Sequence, residues 1–162
     1  MPPNNSTITP SVLDRLIQPQ GGPVVPQPGW NAALSQLKQS LRRDLEALLN
    51  TRRRPGKLGR DVAELGRSAL GYGIPDFTAL NLAASERQVA FGRALETAIR
   101  DFEPRLGAVS VTLLNSDQNL ERTLRFRVEA MIRIEPVPEP IVFESVLDPI
   151  SQTFSVKADF HA

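Results

Sequence analysis

The first thirty residues carry no sustained hydrophobic period. They hold seven prolines together with Gly21, Gly22 and Gly29. Such a stretch buries too little apolar surface to offset its ordering entropy, so residues 1–30 are expected to form a flexible tail. One island interrupts it, a short helix over 10–17. Thr9 suits a cap and Pro10 the first helical position, and Val12, Leu13, Leu16 and Ile17 share one helical stripe. A helix this short is not stable alone. It either folds into a partner's groove through those four residues or packs back on its own domain.

From residue 31 the period becomes helical. Trp30, Leu34, Leu37, Leu41, Leu45 and Leu48 recur at steps of three and four, which predicts a helix over 31–53. Arg52, Arg53 and Arg54 fall at its C-terminal end, where cations complement the helix dipole, and Pro55-Gly56 stops it. A short helix is expected between Asp61 and Leu70. Ser85 and Gln88 have the spacing of a capping box for a further helix. The stripe of that helix is Phe91, Leu95, Ala98, Ile99 and Phe102, and Pro104 prevents its continuation.

Beyond Pro104 the period falls to two. Val109, Val111 and Leu113 alternate with Ser110 and Thr112, and Asn115–Asn119 has turn composition. The clearest strand runs from Leu124 to Glu135, with Phe126, Val128, Ala130, Ile132 and Ile134 on one face and Arg125, Arg127, Glu129, Arg133 and Glu135 on the other. Ile141–Leu147 and Thr153–Ala158 complete the set, separated by a turn at Asp148-Pro149, with Phe154 and Val156 pointing inward. Short connections between alternating strands imply an antiparallel meander. The expected architecture is therefore α+β: one domain over 31–160, with N-terminal helices packed on one face of a meander of about four strands.

Composition removes several chemistries. The chain has 162 residues, no cysteine and one histidine, His161. A disulfide framework, a thiolate metal site, a thiol nucleophile and a Ser-His-Asp triad are excluded as readings, and neither metal nor cofactor is expected. No apolar run is long enough to span a bilayer, and the N-terminal MPPNNSTITP has no basic and apolar leader pattern, so neither a membrane span nor a secretory signal is expected. Net charge is +1, too small for a general polyanion binder, and no aromatics interleave the arginines, so nucleic acid is not an expected partner.

The charge is nevertheless polarised. Residues 36–60 contain eight basic side chains against Asp44 and Glu46, whereas residues 134–162 contain five acids against Lys157. Arg42, Arg43, Arg52 and Arg53 form either a solvated, dipole-complementing face or a protein-docking face. Among the acids, Glu103 stands out at a helix end, between Phe102 and Pro104 and two residues before Arg105. Burial there would raise its pKa, whereas pairing with an arginine would lower it. A structural or interface role is the preferred reading over catalysis, because a glycosidase requires two carboxylates held about 5–10 Å apart across a sugar-sized cleft.

Six segments in order resemble the TssE family of baseplate proteins from bacterial type VI secretion systems, which is related to a small wedge protein of contractile-tail phages. They are SVLDRL (Ser11–Leu16), LRRDLEALLNTRR (Leu41–Arg53), YGIPDFT (Tyr72–Thr78), FEPRL (Phe102–Leu106), LRFRVEAMI (Leu124–Ile132) and VFESVLDPISQTFSV (Val142–Val156). The triplet Glu103-Pro104-Arg105 matches the family's signature. The resemblance implies a non-enzymatic, cytoplasmic component of a contractile injection machine, placed beside TssF, TssG and TssK and touching the TssB/TssC sheath. The lysozyme-like label carried by relatives gives the alternative, a peptidoglycan-cleaving hydrolase. A sheet edge accepts a partner strand because its N–H and C=O groups are unpaired. Strand addition would then use the edge at Val109 and Val111 or the edge at Phe154 and Val156.

Overall fold

The leucine stripe becomes helix α1 (Trp30–Asn50), which buries Leu37, Leu41, Leu45, Leu48 and Leu49. The computed structural model describes residues 8, 16, 29–53, 60–77, 84–114, 123–135, 137–148 and 150–159. Helix α1 ends before the arginines expected in its last turn. The cause is tertiary: Ile74 donates to the Thr51 carbonyl at 2.9 Å, and Arg53 donates to the Ile74 carbonyl at 2.8 Å. These two bonds draw Thr51–Arg53 into an extended bridge with the loop around Ile74. Arg54, expected in the same turn, lies outside the described residues.

The next segment is 3-10 helical, over Arg60–Arg67 and Ala69–Gly71. Helix α2 (Ser85–Phe102) follows and buries Phe91, Leu95, Ala98 and Ile99, as its stripe predicts. The expected capping box is not formed. Ala84 occupies the cap position without a side-chain cap, and its carbonyl accepts from the N–H groups of Arg87 and Gln88. Ser85 is thereby one residue inside the helix, where its hydroxyl cannot cap the first turn.

Four strands then form one antiparallel sheet in the order β1-β2-β3-β4. They are β1 (Leu106–Leu114), β2 (Leu124–Ile132), β3 (Glu139–Asp148) and β4 (Thr153–Asp159). This is the predicted α+β meander. The expected turn at Asn115–Asn119 and the breaker Pro136 lie outside the described residues. Strand β1 contains a bulge between Gly107 and Ser110, with Ala108 at a positive φ of 48°. Strand β2 stops at Ile132 rather than Glu135: the Arg133 N–H still follows the β1 ladder, donating to the Arg105 carbonyl at 2.8 Å, but the Ile134 N–H turns back to the Ile132 carbonyl at 3.1 Å. The β3–β4 turn is held by Asp148, which accepts from the Ile150 N–H and the Ser151 hydroxyl, each at 2.8 Å. The Ile150 N–H, then the Ser151 hydroxyl, keep that carboxyl below its ordinary pKa.

The core lies between the helices and one sheet face. Phe77, Phe91, Phe126 and Phe154 meet there from the Ile74 loop, α2, β2 and β4, with ring centroids 5.2–6.4 Å apart. One polar atom disturbs it. Ser145, on the inner face between Phe126 and Val156, is fully buried, and its hydroxyl has no hydrogen-bond partner. An unpaired buried hydroxyl costs roughly 1–3 kcal/mol, against which the void left by removing it is small. Ser145→Ala should therefore gain about 1 kcal/mol, seen as a higher denaturation midpoint at constant m-value. A loss of stability would show that the hydroxyl has a partner in solution.

Candidate functional site

The polar centre of the fold is built at the junction of α2 and β1. Pro104 disfavours helical geometry at the residue before it. Glu103 accordingly leaves the helix at ψ 79°, its N–H still bonded to the Ile99 carbonyl at 2.9 Å. Its carbonyl accepts from Leu106 at 3.1 Å, which turns the chain into β1. The backbone therefore places Arg105 beside Glu103. Nε donates to Oε1 and Nη2 to Oε2, both at 2.6 Å, a bidentate pair. Glu103 is only 6% exposed.

Helix α1 supplies the other half of this centre. Arg105 Nη2 also donates to Asp44 Oδ2 at 2.7 Å, and Nη1 to the Ser40 hydroxyl at 3.3 Å. Arg43 braces Asp44 Oδ1 from the opposite side at 3.1 Å. Burial works against the Arg105 charge, yet the hydrogen bonds that it donates to Glu103 and Asp44 outweigh it and hold its pKa above the usual arginine value. Tyr72 closes the group, edge-on to Phe102 at 5.3 Å. Burial, followed by the charges of Asp44 and Glu103, raises its phenol pKa.

In this arrangement one guanidinium holds both carboxylates. A glycosidase acid must carry a proton into a cleft opposite a second carboxylate. Here both carboxylates accept from one guanidinium, which occupies the space between them. Glu103, Pro104 and Arg105 turn the chain from α2 into β1, and Asp44 and Ser40, which accept from Arg105, are residues that sequence reasoning missed. A signal for them existed. Asp44 is seven residues after Leu37 and four before Leu48, which puts an acid at the margin of the leucine stripe, with Ser40 one turn away.

Of the four arginines expected to form either a solvated, dipole-complementing face or a docking face, Arg42, Arg43 and Arg52 make internal contacts. Arg42 pairs with Glu46 at 2.8 Å and donates to the Val156 carbonyl at 3.3 Å. Arg43 is at Asp44. Arg52 donates to the carbonyls of Leu49 at 3.0 Å and Gln152 at 2.6 Å, and lies over the Phe77 ring, 4.1 Å from its centroid. Its burial lowers its pKa, opposed by Asp76. Arg53 alone of the four is exposed. Of the tail residues, Leu16 is helical and 74% exposed, whereas Val12, Leu13 and Ile17 lie outside the described residues.

Both expected edge strands are the outer strands of the sheet, but their edges differ. At β4, Asn50 donates to the Phe154 carbonyl at 2.9 Å and accepts from the Phe154 N–H at 2.8 Å. With Arg42 on the Val156 carbonyl, α1 covers that edge, and Arg52, just beyond α1, holds the Gln152 carbonyl in the turn before β4. At β1 one long bond reaches the outward backbone, from the Val111 N–H to Glu96 at 3.4 Å. Helix α2 passes beside Val111 at Gly92. Outward-facing groups recur every second residue, so the Leu113 N–H and C=O also face away from β2, with no partner among the described residues. The side chains of Val109, Phe154 and Val156 are buried, and that of Val111 is half-buried.

No helix of the described residues is long and apolar enough to cross a membrane. No curated protein matches the chain. The family model of the baseplate wedge protein gp25 matches residues 35–137, from the first turns of α1 through β2. That span includes the whole Asp44–Glu103–Arg105 anchor and the β1 edge, and the chain belongs to the baseplate wedge protein gp25 family.

Proposed function

We propose that this chain is a cytoplasmic structural component of a type VI secretion baseplate, joining the wedge proteins TssF, TssG and TssK and offering the β1 edge to strands of the TssB/TssC sheath. Family membership supports the baseplate role. The observation that carries the finer reading is the asymmetry of the two sheet edges. Three backbone groups along the β4 edge are held by α1 side chains, whereas the outward groups of Leu113 have no partner among the described residues. An unpaired strand edge is a ready acceptor for another strand. The peptidoglycan-hydrolase alternative gains no support from Glu103 and Asp44, since Arg105 engages both.

Proline at an outward N–H position of an edge strand removes a donor without breaking the internal ladder. Leu113→Pro should therefore keep the circular dichroism and thermal midpoint close to wild type while sheath recruitment to the baseplate falls sharply. A folded Leu113→Pro protein that recruits sheath normally would refute strand addition at this edge.

A further inference from the structure

The side chains that cover β4 copy the hydrogen bonding of a strand. The Asn50 amide offers one donor and one acceptor to the carbonyl and N–H of a single residue, Phe154, as a neighbouring strand's backbone would. Arg42 occupies the next outward carbonyl, at Val156. A second copy of this chain could pair β4 with β4 antiparallel about a two-fold axis through Ser155. That pairing needs four groups from each copy, the N–H and C=O of Phe154 and of Val156. Three of the four are already used by α1. The charges would permit the pairing, because Thr153 would lie opposite Lys157 and no like charges would meet directly.

We propose that Asn50 and Arg42 guard the β4 edge against self-pairing with a second copy, leaving the chain one strand-accepting edge. Identical edges are self-complementary, so an uncovered β4 would generate an isologous dimer. A baseplate component assembled at high local concentration would be diverted by such a dimer. The guard does not depend on whether β1 receives a sheath strand.

The native chain has no cysteine, so a single introduced thiol is a clean reporter. Ser155→Cys lies at the centre of the β4–β4 pairing, where two facing Cα atoms would be about 4.5–5.5 Å apart, within disulfide reach. In the otherwise native protein, mild oxidation should give little disulfide dimer. Adding Asn50→Ala and Arg42→Ala should make the dimer dominant and speed hydrogen exchange of the Phe154 amide by about tenfold. Asn50→Asp keeps the acceptor and loses the donor, so it should fall between the two, and it provides a milder variant if the double change impairs folding. Equal crosslinking with and without the guard would overturn the proposal. So would faster exchange at Phe154 without crosslinking, since the edge would then be open but not adhesive, and so would unchanged exchange.

Discussion

Arg105→Ala should destabilise the protein by about 3–5 kcal/mol, because it leaves the Glu103 carboxyl group buried and without its bidentate partner. The loss is larger than for a surface ion pair, which contributes about 0–1 kcal/mol. It also reaches further, since the guanidinium ties the end of α2 to Asp44 and Ser40 on α1. Arg105→Lys should recover little, because an ammonium cannot serve both Glu103 oxygens and Asp44 in the planar geometry seen here. Glu103→Gln is expected to be milder, since the neutral amide removes the buried charge yet still offers one acceptor to Arg105. Chemical denaturation of the three variants checks the order. If Arg105→Ala unfolds at the wild-type midpoint, the corner is not an anchor. The triplet Glu103-Pro104-Arg105 is accounted for by folding, with Pro104 setting direction and the flanking charges fixing two helices and a strand.

Gly73→Ala is the second large effect. Gly73 has φ +108°, and a Cβ there would stand 2.5 Å from the Thr51 carbonyl oxygen. The conformational strain alone is worth about 1–3 kcal/mol. Relief of the clash would also push the Ile74 loop off α1 and break the Thr51–Ile74–Arg53 bridge. Phe77 would then move from beneath Arg52, loosening the contact that Arg52 makes with Gln152 in the β3–β4 turn. We expect a total loss of about 3 kcal/mol, with increased proteolysis near residues 51–53 and 72–77. Gly66→Ala is the matched control. Nothing lies within 4 Å of its would-be Cβ, so it should leave the midpoint unchanged. Equal effects from the two substitutions would contradict this account.

The sequence by itself determined the element types and their order. The leucine steps of three and four and the later alternation of Phe126, Val128, Ala130 and Ile132 are local periodicities, and each has one low-energy way to bury its apolar side. Pro104 likewise marked the corner, because its ring acts on its immediate neighbours. What only the tertiary structure decided is how polar groups far apart in the chain satisfy one another. Asn50 looks like an ordinary residue at a helix end, yet it completes the edge of a strand 104 residues later. Arg52 looks like part of a basic face, and the bridge to Ile74 instead turns it inward over Phe77. Both outcomes follow from one physical fact: hydrophobic period is written along a single element, whereas a hydrogen-bond partner depends on which elements the core brings together.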